Sequence, residues 1–137
     1  MKTPHRSNSQ RRAFTLLEMT VVIMVLMALI SSGLFVSKKY DEWKLGKQAA
    51  ESLRAVYTAQ RMYLSDNPTV AVSSLTSTML IPCLPNQPQT VMPTVKSLTG
   101  ATLTIIITVM PPVVNAGSGT AYDPSGSTKD SLWDVGE

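Results

Sequence analysis

The chain has 137 residues, of which 44% are hydrophobic and only 15% charged. That leaves room for one domain with an appended segment, and excludes a multi-domain enzyme and a disordered chain. The formal charge of +3 belongs to the leading residues: Lys2, Arg6, Arg11 and Arg12 precede residue 14 with no acid among them, and the remaining 8 basic side chains face 9 acidic ones, a net of −1. The rest of the chain therefore gives no electrostatic case for binding nucleic acid.

Residues 14–36 follow this basic leader, a stretch of 23 with one charge, Glu18. As a helix it is about 35 Å long, against a hydrocarbon thickness of about 30 Å. It is apolar on every face, as a lipid-embedded helix is. Positive charge before an apolar run reads as an export signal that leaves the basic end in the cytoplasm. Two plain readings share this pattern. One is a secretory signal cut near Ser31-Ser32-Gly33, so that the mature chain begins near Leu34. The other is an uncleaved membrane anchor.

Glu18 fits neither. A carboxylate in a membrane helix costs about 2.5–3.5 kcal/mol on insertion scales and normally has a functional partner. Three and four residues away stand Phe14, Thr15, Val21 and Val22, none of them basic. A cut between Ala13 and Phe14 would create an amino terminus four residues from Glu18, mostly positive at neutral pH. On one helix these two charges could pair; between two staggered helices the pair would set their register.

The run Arg11-Arg12-Ala13, then Phe14-Thr15-Leu16-Leu17-Glu18, then about twenty apolar residues from Met19 resembles the prepilin signature of type IV pilins and type II secretion pseudopilins. The match covers about 25 residues, and its specific element is a glutamate at the fifth position after the cut. The resemblance implies cleavage after Ala13 and N-methylation of Phe14 by a prepilin peptidase/methyltransferase. It implies that Glu18 pairs with the amino terminus of a neighbouring subunit during filament assembly. The chain departs from the family in carrying Ala13 where Gly is usual; alanine is small, and processing is expected to be tolerated at a reduced rate.

Beyond the apolar stretch, Trp43, Gly46, Ala50, Leu53, Tyr57, Gln60 and Leu64 recur at spacings of three and four. That is a helical stripe with one polar interruption, Gln60. Asn67-Pro68 gives a stop. The helix is expected over 14–66, with Gly46 marking a bend or a close contact. Tyr40 and Trp43 are candidate membrane-interface anchors, and Lys38 and Lys39 mark the outer boundary.

Residues 68–137 are too few for a confident core of their own, so the long helix is expected to supply the missing face. A short helix is expected near 74–80, an irregular loop around Pro82, Pro85, Pro88 and Pro93, and the strongest strand at 102–110, rich in β-branched residues. Short strands are expected at 113–115 and 120–122 around a glycine turn, a turn at 123–126, and a last strand at 131–135. The expected fold is α+β and pilin-like: one long helix on an antiparallel sheet of three to four strands. Its parts are a cleaved leader (1–13), a membrane or filament-core half-helix (14–36), an amphipathic half-helix (37–67) and a small globular region (68–137).

Few residues suggest further chemistry. Asp123, Asp130 and Asp134 cluster near the end; oxygen ligands suit calcium, and some major pseudopilins carry a calcium loop there, but the spacing matches no such loop. Turn capping by Asp123 and solvated acids is the simpler reading. Cys83 reads as a buried inert thiol and Trp133 as a core anchor. A single cysteine excludes an internal disulfide, and the only histidine, His5, lies in the leader, which leaves no Ser-His-Asp or Cys-His set elsewhere. No enzymatic activity and no cofactor are expected. From 68 to 122 the only charged residue is Lys96, which fits a surface tiled against neighbours as well as a Ser/Thr-rich solvated one. The expected role is a structural subunit held in the inner membrane with its C-terminal part outside the cytoplasm, then built into a periplasmic or cell-surface filament. Its partners would be the peptidase, copies of itself or other pilin-like subunits, an inner-membrane assembly platform and lipid. The alternative is a membrane-tethered or secreted binding module that forms no filament.

Overall fold

The computed structural model describes residues 15–85, 90–127 and 130–136. The leader and the Ala13–Phe14 junction lie outside these residues, as does Pro88. The architecture is α+β: helix α1 (Leu16–Asp66), a short α2 (Ser77–Leu80) between two single 3₁₀ turns, and strands β1 (Val95–Lys96), β2 (Thr102–Leu103), β3 (Ile105–Ile106) and β4 (Val113–Val114). The chain divides into two units, residues 1–38 and 39–137.

In the first unit, the described residues before Lys39 belong almost wholly to α1, and all are exposed. The helix has no proline to interrupt it, and it stops where expected. Asn67 donates its N–H to the Tyr63 carbonyl at 2.9 Å and its side-chain amide to the same oxygen at 3.1 Å. Pro68 then disfavours another turn.

The second unit is built on residues 39–66 of α1. Gly46, Ala49, Ala50, Leu53, Val56, Ala59 and Gln60 are buried. The apolar face is therefore two residues wide per turn, and small residues at 49, 50 and 59 let the loops approach closely. One cluster joins Ala49 and Leu53 to Val95, Val114, Trp133 and Val135; a second joins Val56 and Ala59 to Leu75, Leu80 and Leu84, with Ile105 packed on both. The 70 C-terminal residues thus complete their core on the helix. The short helix near 74–80 is present as α2 with its flanking turns, and Cys83 is free and half-buried against the second cluster.

The sheet differs from expectation. Instead of one sheet of three to four strands there are two antiparallel ribbons, β1–β2 and β3–β4. The segment expected as one strand at 102–110 changes partner at Thr104: Val95 pairs with Leu103 and Lys96 with Thr102, whereas Ile105 pairs with Val114 and Ile106 with Val113. Beyond Ile106 the ladder ends, and the Ile107 and Val109 carbonyls accept from a side chain of α1. The glycine turn is present. Asn115 bridges to Ala121, and its Oδ1 accepts from the N–H groups of Gly117 and Gly119 at 2.9 and 3.1 Å.

No strand forms at 131–135. Ser131 and Trp133 have positive φ, 57° and 64°, which a strand cannot contain. The segment instead lies on α1, where the Trp133 N–H donates to the Gly46 carbonyl at 3.2 Å. The Trp133 indole is 4% exposed and stands edge-on to Tyr122, ring centroids 5.1 Å apart. Of the two roles expected for Gly46, close contact is the one seen: a Cβ there would lie 2.9 Å from Trp133 Nε1 and 3.1 Å from Leu132 Cδ2. Alanine favours a helix by about 1 kcal/mol, but overpacking costs about 1–3 kcal/mol. Gly46→Ala is therefore expected to lower stability, by up to about 2 kcal/mol. A thermal melt in detergent checks this; an unchanged or raised melting temperature would mean that Trp133 yields.

Candidate functional site

The first candidate is the start of α1. Thr15 precedes the helix, and its carbonyl accepts the first helical bond, from the Met19 N–H at 3.2 Å. Its hydroxyl accepts from the Glu18 N–H at 3.3 Å. This is half of a capping box, with Thr at the cap and Glu three residues on. The Glu18 carboxylate also lies in the first turn, where the helix dipole favours negative charge. Thr15-Leu16-Leu17-Glu18 carries the signature of this local role, a second one for Glu18 beside the charge pair.

The rest of the apolar stretch is chemically quiet. Thr20 donates to the Leu17 carbonyl, Ser31 to Met27 and Ser32 to Ala28, each at 2.8 Å. The Thr15 hydroxyl accepts at the cap, and the other three hydroxyls in 15–36 each donate to a carbonyl one turn back. Such back-bonding lets hydroxyls sit in hydrocarbon without an orphaned donor. The side chains around them are widely exposed, from Val22 at 49% to Leu16 at 83%. The helix is long and apolar enough to cross a membrane, with a mean hydropathy of 2.5 over its best window and none of that window buried. Glu18 stands alone in this surface. Among the described residues the one ion pair is Lys39–Glu42, at 2.8 Å. Ala13 and Phe14 lie outside the described residues.

The second candidate is the acidic C-terminal segment, where the structure separates the three aspartates by role. Asp123 Oδ1 accepts from the Ser125 N–H at 3.0 Å and the Ser125 hydroxyl at 2.6 Å, so it caps its turn as expected. Asp130 Oδ1 accepts from the Leu132 N–H at 2.9 Å. Asp134 is not a solvated acid: both carboxylate oxygens are buried without a hydrogen-bond partner. No group of three His, Cys, Asp or Glu placed to hold a metal occurs among the described residues.

Burial pushes the Asp134 carboxyl above its usual range, and the charges of Asp130 and Asp123 push the same way. The nearby Gly136 amide, short of hydrogen-bonding geometry, and the Arg54 guanidinium offset part of this. Arg54 is itself held by its Nε–H donating to the Val135 carbonyl at 2.9 Å. A carboxyl with a raised folded-state pKa weakens the fold above that pKa. The penalty fades as pH falls and is gone once the unfolded carboxyl is protonated too. Asp134→Asn is therefore expected to melt higher than the parent at pH 7, with the gain disappearing below about pH 4. Equal melting temperatures at pH 7 would contradict this.

Comparison with protein-family models, with curated proteins and with solved structures finds no match for this chain.

Proposed function

We propose that the chain is a pilin-like structural subunit of a type IV pilus or a type II secretion pseudopilus. It is made as a precursor, cut after Ala13 and methylated at Phe14 by a prepilin peptidase/methyltransferase. It waits in the inner membrane as a single-pass protein, engages an assembly platform, and enters a filament with copies of itself or other pilin-like subunits. One observation carries the reading: along the exposed apolar residues 15–36 the Glu18 carboxylate is the one charged side chain, and it takes part in no ion pair among the described residues. A neighbour's amino terminus supplies that charge in an assembly, and the exposed apolar surface is buried at the same step.

A cleaved secretory signal is supported less well. Its apolar region is typically 7–15 residues long, whereas this stretch has 23 and α1 continues to Asp66 without a break at Ser31–Gly33. The test is the intact mass and N-terminal fragment spectrum of the protein from native membranes. A chain beginning at N-methyl-Phe14 is expected. A start near Leu34 removes Glu18 and overturns the proposal; an intact Met1 start leaves a tethered module without prepilin processing.

A further inference from the structure

We propose that the groove at the Lys39 end of the globular unit is a phospholipid site, which takes the phosphate-bearing head of a bilayer lipid. This rests on the membrane placement proposed above. The groove has a volume of about 270 Å³, and Lys39, Glu42, Trp43, Leu98, Pro124 and Leu132 line it. It joins two chemistries. Its wall is apolar and open: Trp43 is 49% and Leu98 41% exposed, and Tyr40, 61% exposed, lies with its ring centroid 6.0 Å from that of Trp43. The charged residues that line it are the paired Lys39 and Glu42, and the surrounding turns of helix, 39–47, carry three lysines against Asp41 and Glu42, a net of +1.

Three considerations favour lipid over a second copy of the chain. Tryptophan and tyrosine with an apolar body and a polar edge are the residues that settle at head-group level. Trp43 follows Val36, the end of the apolar stretch, by seven residues, or about 10 Å of helix, and helical side chains lean back toward the N-terminus. That brings the indole within reach of a head-group layer about 5–8 Å thick. The Lys39–Glu42 pair is also exposed on both sides, and such pairs hold together by about 1 kcal/mol or less. Lys39 can therefore turn to a phosphate. Lys44, exposed and without an ion-pair partner among the described residues, adds to the attraction.

The chain contains two tryptophans, Trp43 on the open wall of the groove and Trp133, 4% exposed, at its floor. The test reconstitutes the full chain in phosphatidylcholine–phosphatidylglycerol vesicles brominated on the acyl carbons nearest the head group. At least half of the tryptophan emission is expected to be quenched, and Trp43→Phe is expected to lose most of that quenching, the remainder coming from Trp133 at the floor of the groove. Because an anchored helix alone would also hold Trp43 near lipid, Leu98→Asp supplies the second reading from outside α1. It is expected to reduce the quenching about two-fold or more at an unchanged near-ultraviolet circular dichroism spectrum. Unchanged quenching in Leu98→Asp overturns the proposal. So does a Trp43 shielded only at high protein-to-lipid ratio, which would assign the groove to a second copy. A chain that floats with the vesicles but escapes quenching sinks this inference alone; a chain that does not float sinks the membrane placement with it.

Discussion

Glu18→Ala is expected to leave the subunit exported and cut after Ala13 but absent from filaments. Removing one partner of a desolvated ion pair costs about 3–5 kcal/mol, enough to lower incorporation about a hundred-fold or more. The helix cap complicates that variant, because Glu18 occupies the third position of a capping box with Thr15. Glu18→Gln separates the two roles. Glutamine serves in a capping box as glutamate does, yet it carries no charge. If the carboxylate pairs with a neighbour's amino terminus, both variants fail to assemble. If its work is local capping, Glu18→Gln assembles normally and Glu18→Ala fails. Sheared filament fractions from cells expressing each variant, probed against total membrane protein, decide between these outcomes. Normal incorporation of Glu18→Gln would sink the charge-pair mechanism while leaving the membrane helix intact.

Gln60→Leu is expected to destabilise the globular unit although it places an apolar residue at a fully buried position. Gln60 is 0% exposed on the face of α1 that meets the loops. Its amide donates to the Ile107 carbonyl at 2.8 Å and to the Val109 carbonyl at 3.1 Å. Those two acceptors lie just past β3, where the ladder has ended and no strand serves them. Leucine would remove the unpartnered Gln60 Oε1, a gain, and leave both carbonyls without their donor, a larger loss. Ile107 is half-buried and Val109 is 44% exposed, so water recovers part of the lost pairing, and a net loss of about 1 kcal/mol follows. For a unit of this size that lowers the melting temperature on the order of 5–10 °C. Gln60→Glu should be worse, since a carboxylate would face two carbonyl oxygens. A leucine variant as stable as the parent would show that the clamp contributes nothing net.

Gln60 also shows how far the pattern in the sequence reaches. Read along the helix, it interrupts an apolar stripe. In three dimensions it belongs to the stripe, because its partners lie 47 and 49 residues away. The same distance effect explains the sheet. A run rich in β-branched residues at 102–110 satisfies every local preference for one strand, but pairing is a property of two segments, and β1 and β4 each reach only part of it. The terminal segment is a third case. Ser131-Leu132-Trp133-Asp134-Val135 has strand-like composition, yet packing the indole on α1 holds Trp133 at φ 64°, and that excludes a strand.

What the sequence determined alone is what neighbours a few residues apart decide. These are the uninterrupted apolar stretch, the stop at Asn67-Pro68, the amphipathic second half of the helix, the glycine and Asp123 turns, and the absence of a basic residue three or four positions from Glu18. Each follows from helical periodicity, proline geometry or short side-chain reach. The tertiary structure decided everything that depends on which distant segment arrives. Gly46 is small because Leu132 and Trp133 occupy the space a Cβ would take, Gln60 is polar because the Ile107 and Val109 carbonyls meet it, and the carboxylate oxygens of half-buried Asp134 are enclosed without a hydrogen-bond partner while Asp123 and Asp130 cap turns. A single chain does not encode those encounters locally, because their energies exist only after folding has closed loops of tens of residues.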